Sequence, residues 1–156
     1  MTGVRTFEPS AVDTVVRAKR EARGPGGEPL RVSVCIPCRN EASTIGELVG
    51  VIRSSLVDRV GLVDVLVVVD DRSVDDTARL AREAGARVVH IEDVHDAHGI
   101  GRGKGNVLWA SLVASRGDLV VWLDGDLTTF EPPWVAGLVA PLIDHDEIAL
   151  VKAASE

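Results

Sequence analysis

The residue types that can do chemistry fall in four short clusters, each placed after an apolar run. Asp124 and Asp126 flank a glycine at the end of "DLVVWLDGD". Side chains two apart on a strand share a face, so both carboxylates can point at one hard cation. Such a cation usually keeps waters and bridges to substrate phosphates. The plain alternative is a turn whose acidic residues cap the next helix. Asp70 and Asp71 end "DVLVVVDD", an odd place for two adjacent charges. Here Asp71 or Ser73 caps the following helix, or Asp71 reads the polar edge of a ligand.

The third cluster is "GIGRGKGN", which carries Arg102 and Lys104. It misses the P-loop pattern, because His98 stands where the first glycine belongs and Gly105 follows the lysine. It also lacks the third glycine of the dinucleotide fingerprint. What remains is a basic loop opening a helix, where backbone N–H groups favour anions, or simply a solvated loop. The fourth cluster, Pro37, Cys38, Arg39, Asn40 and Glu41, follows "RVSVCI".

Cys35 and Cys38 form a C-x-x-C spacing, which in other settings marks thiol redox chemistry or half a zinc site. Cys35 falls inside the first strand and not at an exposed helix start, so the spacing reads as incidental. His95 and His98 have a chelating spacing but no evident third ligand, and read as solvated loop residues. Trp109 and Trp122 read as core, and Trp134 is open to either reading.

The elements that must position these clusters alternate. Strands are predicted over 31–36, 64–70, 86–91, 118–124 and 147–153, and helices over 43–57, 74–85, 104–115 and 132–145. Ser43 is a candidate cap, Gly85 a natural helix stop, and Pro141 should bend or end the last helix. A short amphipathic helix over 8–22, with a cap at Ser10, precedes a glycine-rich stretch, 23–29, that reads as a flexible connector. Strands alternating with helices imply an α/β fold: a mostly parallel sheet flanked by helices, with ligands at the carboxyl ends of the strands. All four clusters then converge on one sheet edge.

Composition narrows the class. The chain has 156 residues, 46% hydrophobic and 26% charged, which suits a globular domain with one sizeable core. Aromatics are 3% and the net charge is −7, which argues against a nucleic-acid partner. No apolar run reaches the roughly 18 residues of a membrane span, and the first ten residues lack a signal-peptide core. A cytoplasmic location is the expectation.

Taken together, "VSVCIPCRNEASTIGELV", "VVVDDRSVDDTA", "GRGKGNVLWASL" and "GDLVVWLDGDL", in this order, resemble the nucleotide-binding half of a GT-A fold (Rossmann-like) glycosyltransferase. Within that fold they look most like the glucosyl-3-phosphoglycerate synthases, with mannosyl-3-phosphoglycerate synthases close by and polyprenol-phosphate sugar transferases more distant. The resemblance implies a retaining transfer of glucose from UDP-glucose to 3-phosphoglycerate, with Mg2+ or Mn2+. It implies that Pro37, Cys38, Arg39 and Glu41 line the uridine pocket and that Asp71 contacts the nucleotide. Lys104 would sit beside the sugar nucleotide, Asp124 would face ribose and sugar, and Asp126 would hold the metal on the diphosphate. Asp124, Asp126 and Lys104 are thus the implied catalytic residues.

The resemblance also divides the chain into an N-terminal helix with its connector (1–30) and a nucleotide-sugar-binding subdomain (31–156). Family members continue well beyond that point, so an acceptor-binding half and a further metal ligand, commonly a histidine, are implied to be absent. His145, in a helix expected to pack on the sheet, is a poor replacement. A truncated sheet leaves an exposed edge, so self-association as a homo-oligomer is expected. A nucleotide-sugar-binding module without catalysis is the rival reading.

Overall fold

The computed structural model describes residues 10–153, apart from the Lys104 side chain. Four strands form one parallel sheet: β1 (Val32–Cys38), β2 (Val65–Asp70), β3 (Arg87–His90) and β4 (Leu119–Trp122), in the order β3-β2-β1-β4. The helices are α1 (Val12–Glu21), α2 (Ile45–Ile52), α3 (Thr77–Glu83), α4 (Ile91–His98), α5 (Lys104–Ala114) and α6 (Pro132–Asp144). A π-helical segment, Arg53–Arg59, prolongs α2. The expected α/β architecture is therefore present, and the strand order reverses between β1 and β4, where open α/β sheets hold their ligands.

The apolar run of β2 and the buried VSVCIPC stretch of β1 form central strands because both of their faces are covered. Val34, Ile36 and Cys38 pack with Ile45, Leu48, Val49 and Ile52 of α2 and with Val135 and Val139 of α6. The α2 spacing of those four residues is one helical stripe. Cys35, Val67 and Val69 face the other way, toward Ile91 and Val94 of α4 and Ala110 and Ala114 of α5. Period-two alternation thus sends the two cysteines to opposite faces of the sheet.

Several local expectations are corrected. The segment read as a loop after β3 contains α4, because Ile91 and Val94 bury one turn apart while Glu92 and Asp93 stand favourably in the first turn. Gly99, at φ +97°, ends it. Residues 147–153 form no strand: the Ile148 N–H turns back to the His145 carbonyl, Leu150 is exposed, and no neighbouring strand pairs with them. The stretch 23–29 is a closed turn, bridged between Arg23 and Pro29, with Gly24 pressed under the Asp118 carboxylate. Residues 8 and 9 of the first predicted helix lie outside the described residues. The caps expected at Ser10 and Ser43 are not made; Ala11 and Thr44 occupy those positions. Helix α6 runs on three residues past Pro141, and His145 caps its end, half-exposed, instead of packing on the sheet.

Trp109 is 38% exposed and not in the core, standing edge-on to His98, and Trp134 is exposed beside Phe130. Trp122 is half-buried, and its indole N–H donates to the Ser111 hydroxyl at 2.7 Å.

Helix α1 is tied down by a buried cation. Lys19 Nζ lies 2.7 Å from Asp64 Oδ2 and donates to the Gly61 carbonyl at 2.9 Å, while the same Asp64 oxygen accepts the Val32 N–H. Removing one partner of a buried pair strands the other charge. Asp64 keeps some solvent contact, so Lys19→Ala should cost about 2 kcal/mol, below the full buried-pair value. Urea denaturation should show a lower midpoint at an unchanged slope.

Candidate nucleotide-sugar site

The first polar cluster is built by cross-loop hydrogen bonds. After β1, the N–H groups of Asn40, Glu41 and Ala42 donate in turn to Ser73 Oγ (2.9 Å), Thr77 Oγ1 (2.8 Å) and Asp75 Oδ2 (3.2 Å) of the β2–α3 loop. The Val74 N–H returns to Asn40 Oδ1 at 2.8 Å. Neither Asp71 nor Ser73 caps α3, because Ser73 is spent on Asn40 and the helix begins only at Thr77. Asn40 and Arg72 adopt left-handed backbone (φ +58° and +57°), a conformation that asparagine tolerates and arginine rarely takes. Asp75 is held below the ordinary carboxylate range, chiefly by the Thr77 hydroxyl.

The β4 end meets this loop closely. A Cβ on Gly125 would lie 2.8 Å from Cys38 Cβ and 3.4 Å from Glu41 Cγ, so only glycine fits between the two aspartates. The Thr44 hydroxyl donates to the Gly125 carbonyl at 2.7 Å, fixing the turn to the start of α2.

These loops enclose an open cavity of about 830 Å³ at the β1–β4 reversal. Pro37, Cys38, Arg39, Glu41, Asp71, Asp124 and Asp126 all line it. Lys104 is placed through its backbone, as the first residue of α5 directly after the lining residues Gly101, Arg102 and Gly103. Every cluster named from the sequence thus converges on one edge. Sequence reasoning left out Arg72 and the walls Ile100, Val107 and Leu108. Arg72 carried a signal, being a charge directly after two aspartates, but its left-handed backbone did not.

The electrostatics are divided. Arg39, Arg72 and Arg102 bring positive charge to the lining, which suits a phosphate-bearing ligand. Glu41, Asp124 and Asp126 bring negative charge. Burial, then the Asp126 and Asp75 carboxylates, push the Glu41 carboxyl above its ordinary range. Crowded carboxylates of this kind fit a divalent cation. Among the described residues no three His, Cys, Asp or Glu side chains are grouped to hold one alone.

His95 and His98 make no chelate. His95 is buried, with Arg72 on one ring nitrogen and Asn106 on the other, and His98 stands against Trp109. Burial pushes both thiols up to about 12, for Cys38 with added repulsion from Asp70, Glu41 and Asp75. They remain protonated thiols on opposite faces of the sheet, which removes the redox reading.

A family model, Glycosyl transferase family 2, matches residues 33–155. The chain belongs to this family. It is 48% identical over 122 residues to the glucosyl-3-phosphoglycerate synthase of Mycolicibacterium paratuberculosis, covering 78% of this chain and 36% of that one. A Mycobacterium tuberculosis glucosyl-3-phosphoglycerate synthase, solved with Mn2+, UDP-glucose and phosphoglyceric acid, superposes with a TM-score of 0.75. It is 38% identical, over 90% of this chain and 46% of that one. Mannosyl-3-phosphoglycerate synthase from Rubrobacter xylanophilus gives a TM-score of 0.74 at 35% identity, over 89% of this chain and 41% of that one. The family 2 chain thus spans less than half the length of each of these relatives, and its four-stranded sheet has the GT-A, Rossmann-like arrangement.

Two outcomes follow from the site chemistry. Asp126→Asn removes a like charge from Glu41, so the Glu41 carboxyl should titrate at lower pH, read by carboxyl-carbon NMR. At pH 8 in the native protein neither cysteine should react with a thiol reagent, and both should react once the chain is unfolded.

Proposed function

We propose that this chain is the nucleotide-sugar-binding part of a retaining glucosyltransferase that uses UDP-glucose and 3-phosphoglycerate. The observation that carries the reading is the convergence of Asp71, Asp124, Asp126 and the Pro37–Glu41 loop on one cavity at the sheet reversal. Similarity to synthases solved with UDP-glucose and phosphoglyceric acid supports the choice of donor and acceptor.

The roles follow from placement. The Pro37–Glu41 loop, with its Asn40 and Glu41 N–H groups already engaged by Ser73 and Thr77 and the following Ala42 N–H by Asp75, offers a rigid edge for the base. Asp71, at the neighbouring strand end, reads a polar edge of the nucleoside. Asp124 faces the ribose and sugar. Asp126 would hold Mg2+ or Mn2+, and that cation would neutralise charge on the departing diphosphate. Arg102 and the start of α5, with Lys104, take the remaining phosphate charge, since helix N-termini attract anions. Residues 31–156 are proposed as the donor-binding part, preceded by helix α1 and the 23–29 turn.

A mannosyl donor is the second reading, favoured by the similarity to the Rubrobacter xylanophilus enzyme. Calorimetric titration separates the two. UDP and UDP-glucose should bind with Mn2+ present, GDP-mannose should bind at least tenfold more weakly by the size of discrimination a pocket contact supplies (about 1–3 kcal/mol), and Asp126→Ala should abolish the metal dependence. Tighter binding of GDP-mannose would transfer the proposal to the mannosyl class, and no binding of either would refute it.

A further inference from the structure

Arg72 adopts a left-handed backbone conformation that a non-glycine residue rarely takes, so the rest of the structure must hold it there. Each guanidinium nitrogen has a partner: Nη1 lies 3.1 Å from Asp71 Oδ1, Nε 3.4 Å from Glu92 Oε1, and Nη2 3.3 Å from His95 Nδ1. These contacts join the end of β2 to α4. His95 is only 5% exposed, and its other ring nitrogen, Nε2, is 2.8 Å from Asn106 Nδ2 in the first turn of α5. That carboxamide in turn covers Gly101, where a Cβ would overlap it.

We propose that Arg72 and His95 are positioning residues, forming a relay Asp71–Arg72–His95–Asn106 that holds the glycine-rich 99–103 segment against the cavity. The direction of the hydrogen bonds follows from donor inventory. A guanidinium only donates, so His95 Nδ1 must accept, and the neutral ring then carries its proton on Nε2. Nε2–H must then donate, so the Asn106 amide is assigned end for end from its placed orientation, with Oδ1 on His95 and NH2 toward Gly101, since a donor cannot face a donor. An imidazolium would have no lone pair for Arg72 and would set two cations together. The relay therefore ties the Asp71 and Arg72 wall of the cavity to its glycine-rich wall through His95 and Asn106, which do not line the cavity. Its bearing on a nucleoside diphosphate rests on the function proposed above.

The test combines nitrogen-15 NMR of the free full chain with UDP titration in the presence of Mn2+. Three variants are compared with wild type: Arg72→Gly, which relieves the left-handed strain while removing the clamp, His95→Phe, and His95→Gln, which keeps one acceptor and one donor. His95 should show the Nε2–H tautomer. The Gly101 amide order parameter should fall toward the ~0.6 of flexible backbone in Arg72→Gly and His95→Phe. It should stay near wild type in His95→Gln. UDP affinity should drop about tenfold in the first two variants, the factor set by one lost hydrogen bond to a charged group, with melting temperature unchanged or raised for Arg72→Gly. An Nδ1–H or doubly protonated His95, or an unmoved Gly101 in both disruptive variants, overturns the relay. Failure of the wild type to bind UDP would instead refute the proposed function, and the relay would still be decided by the tautomer and Gly101.

Discussion

Three successive backbone N–H groups after β1, at Asn40, Glu41 and Ala42, are taken by side chains of the neighbouring β2–α3 loop. The site depends on this lacing. Without those acceptors the loop would have to satisfy its donors in water and would lose its fixed shape. With them, Glu41 is held at the cavity wall, Cys38 closes the floor, and Gly125 can approach to the limit that a missing Cβ allows. The Asp124–Asp126 turn is therefore positioned by loops that belong to other strands. The parallel register supplies the frame, since Cys38 stands beside Asp70 and Cys35 beside Trp122.

Much of this was legible in the sequence, and the reasons differ by element. Strand β2 announces itself as a continuous apolar, mostly β-branched run because both faces are buried, and the polar residues directly after it and after β1 must lie at the sheet edge. Helix α4 was hidden because its acidic first turn and two histidines look like loop chemistry. Only the burial of Ile91 and Val94 under the sheet makes it a helix. The last apolar stretch, 147–153, shows the converse: strand-like composition forms no ladder where no partner strand lies alongside.

The lacing itself was not readable. Ser73, Asp75 and Thr77 look like cap residues for α3, and by local rules they should be. They serve the loop after β1 instead, a choice visible only once two distant segments are side by side. The C-x-x-C spacing read as incidental because Cys35 falls inside a strand and not at an exposed helix start; β1 runs on through Cys38, and alternation sends the two thiols to opposite faces. Trp109 failed that kind of reasoning, since a helix packed on a sheet buries only one stripe, and its Ala110, Ser111 and Ala114 occupy it.

The packing of α1 against α6 has a consequence for the order of assembly. Val15 and Val16 share their cluster with Val135 and Val139, and the central strand β1 receives its second neighbour only with β4. Helix α1 is made well before α6, so its apolar face waits for the intervening sheet and helices to follow before it is covered. Contacts between segments far apart in sequence are slow to form, because the entropy of the long loop is lost before the contact rewards it. The valine stripe of α1 therefore stays uncovered during synthesis until α6 is made, and the Lys19–Asp64 pair, available as soon as β2 is made, is the early hold on that helix.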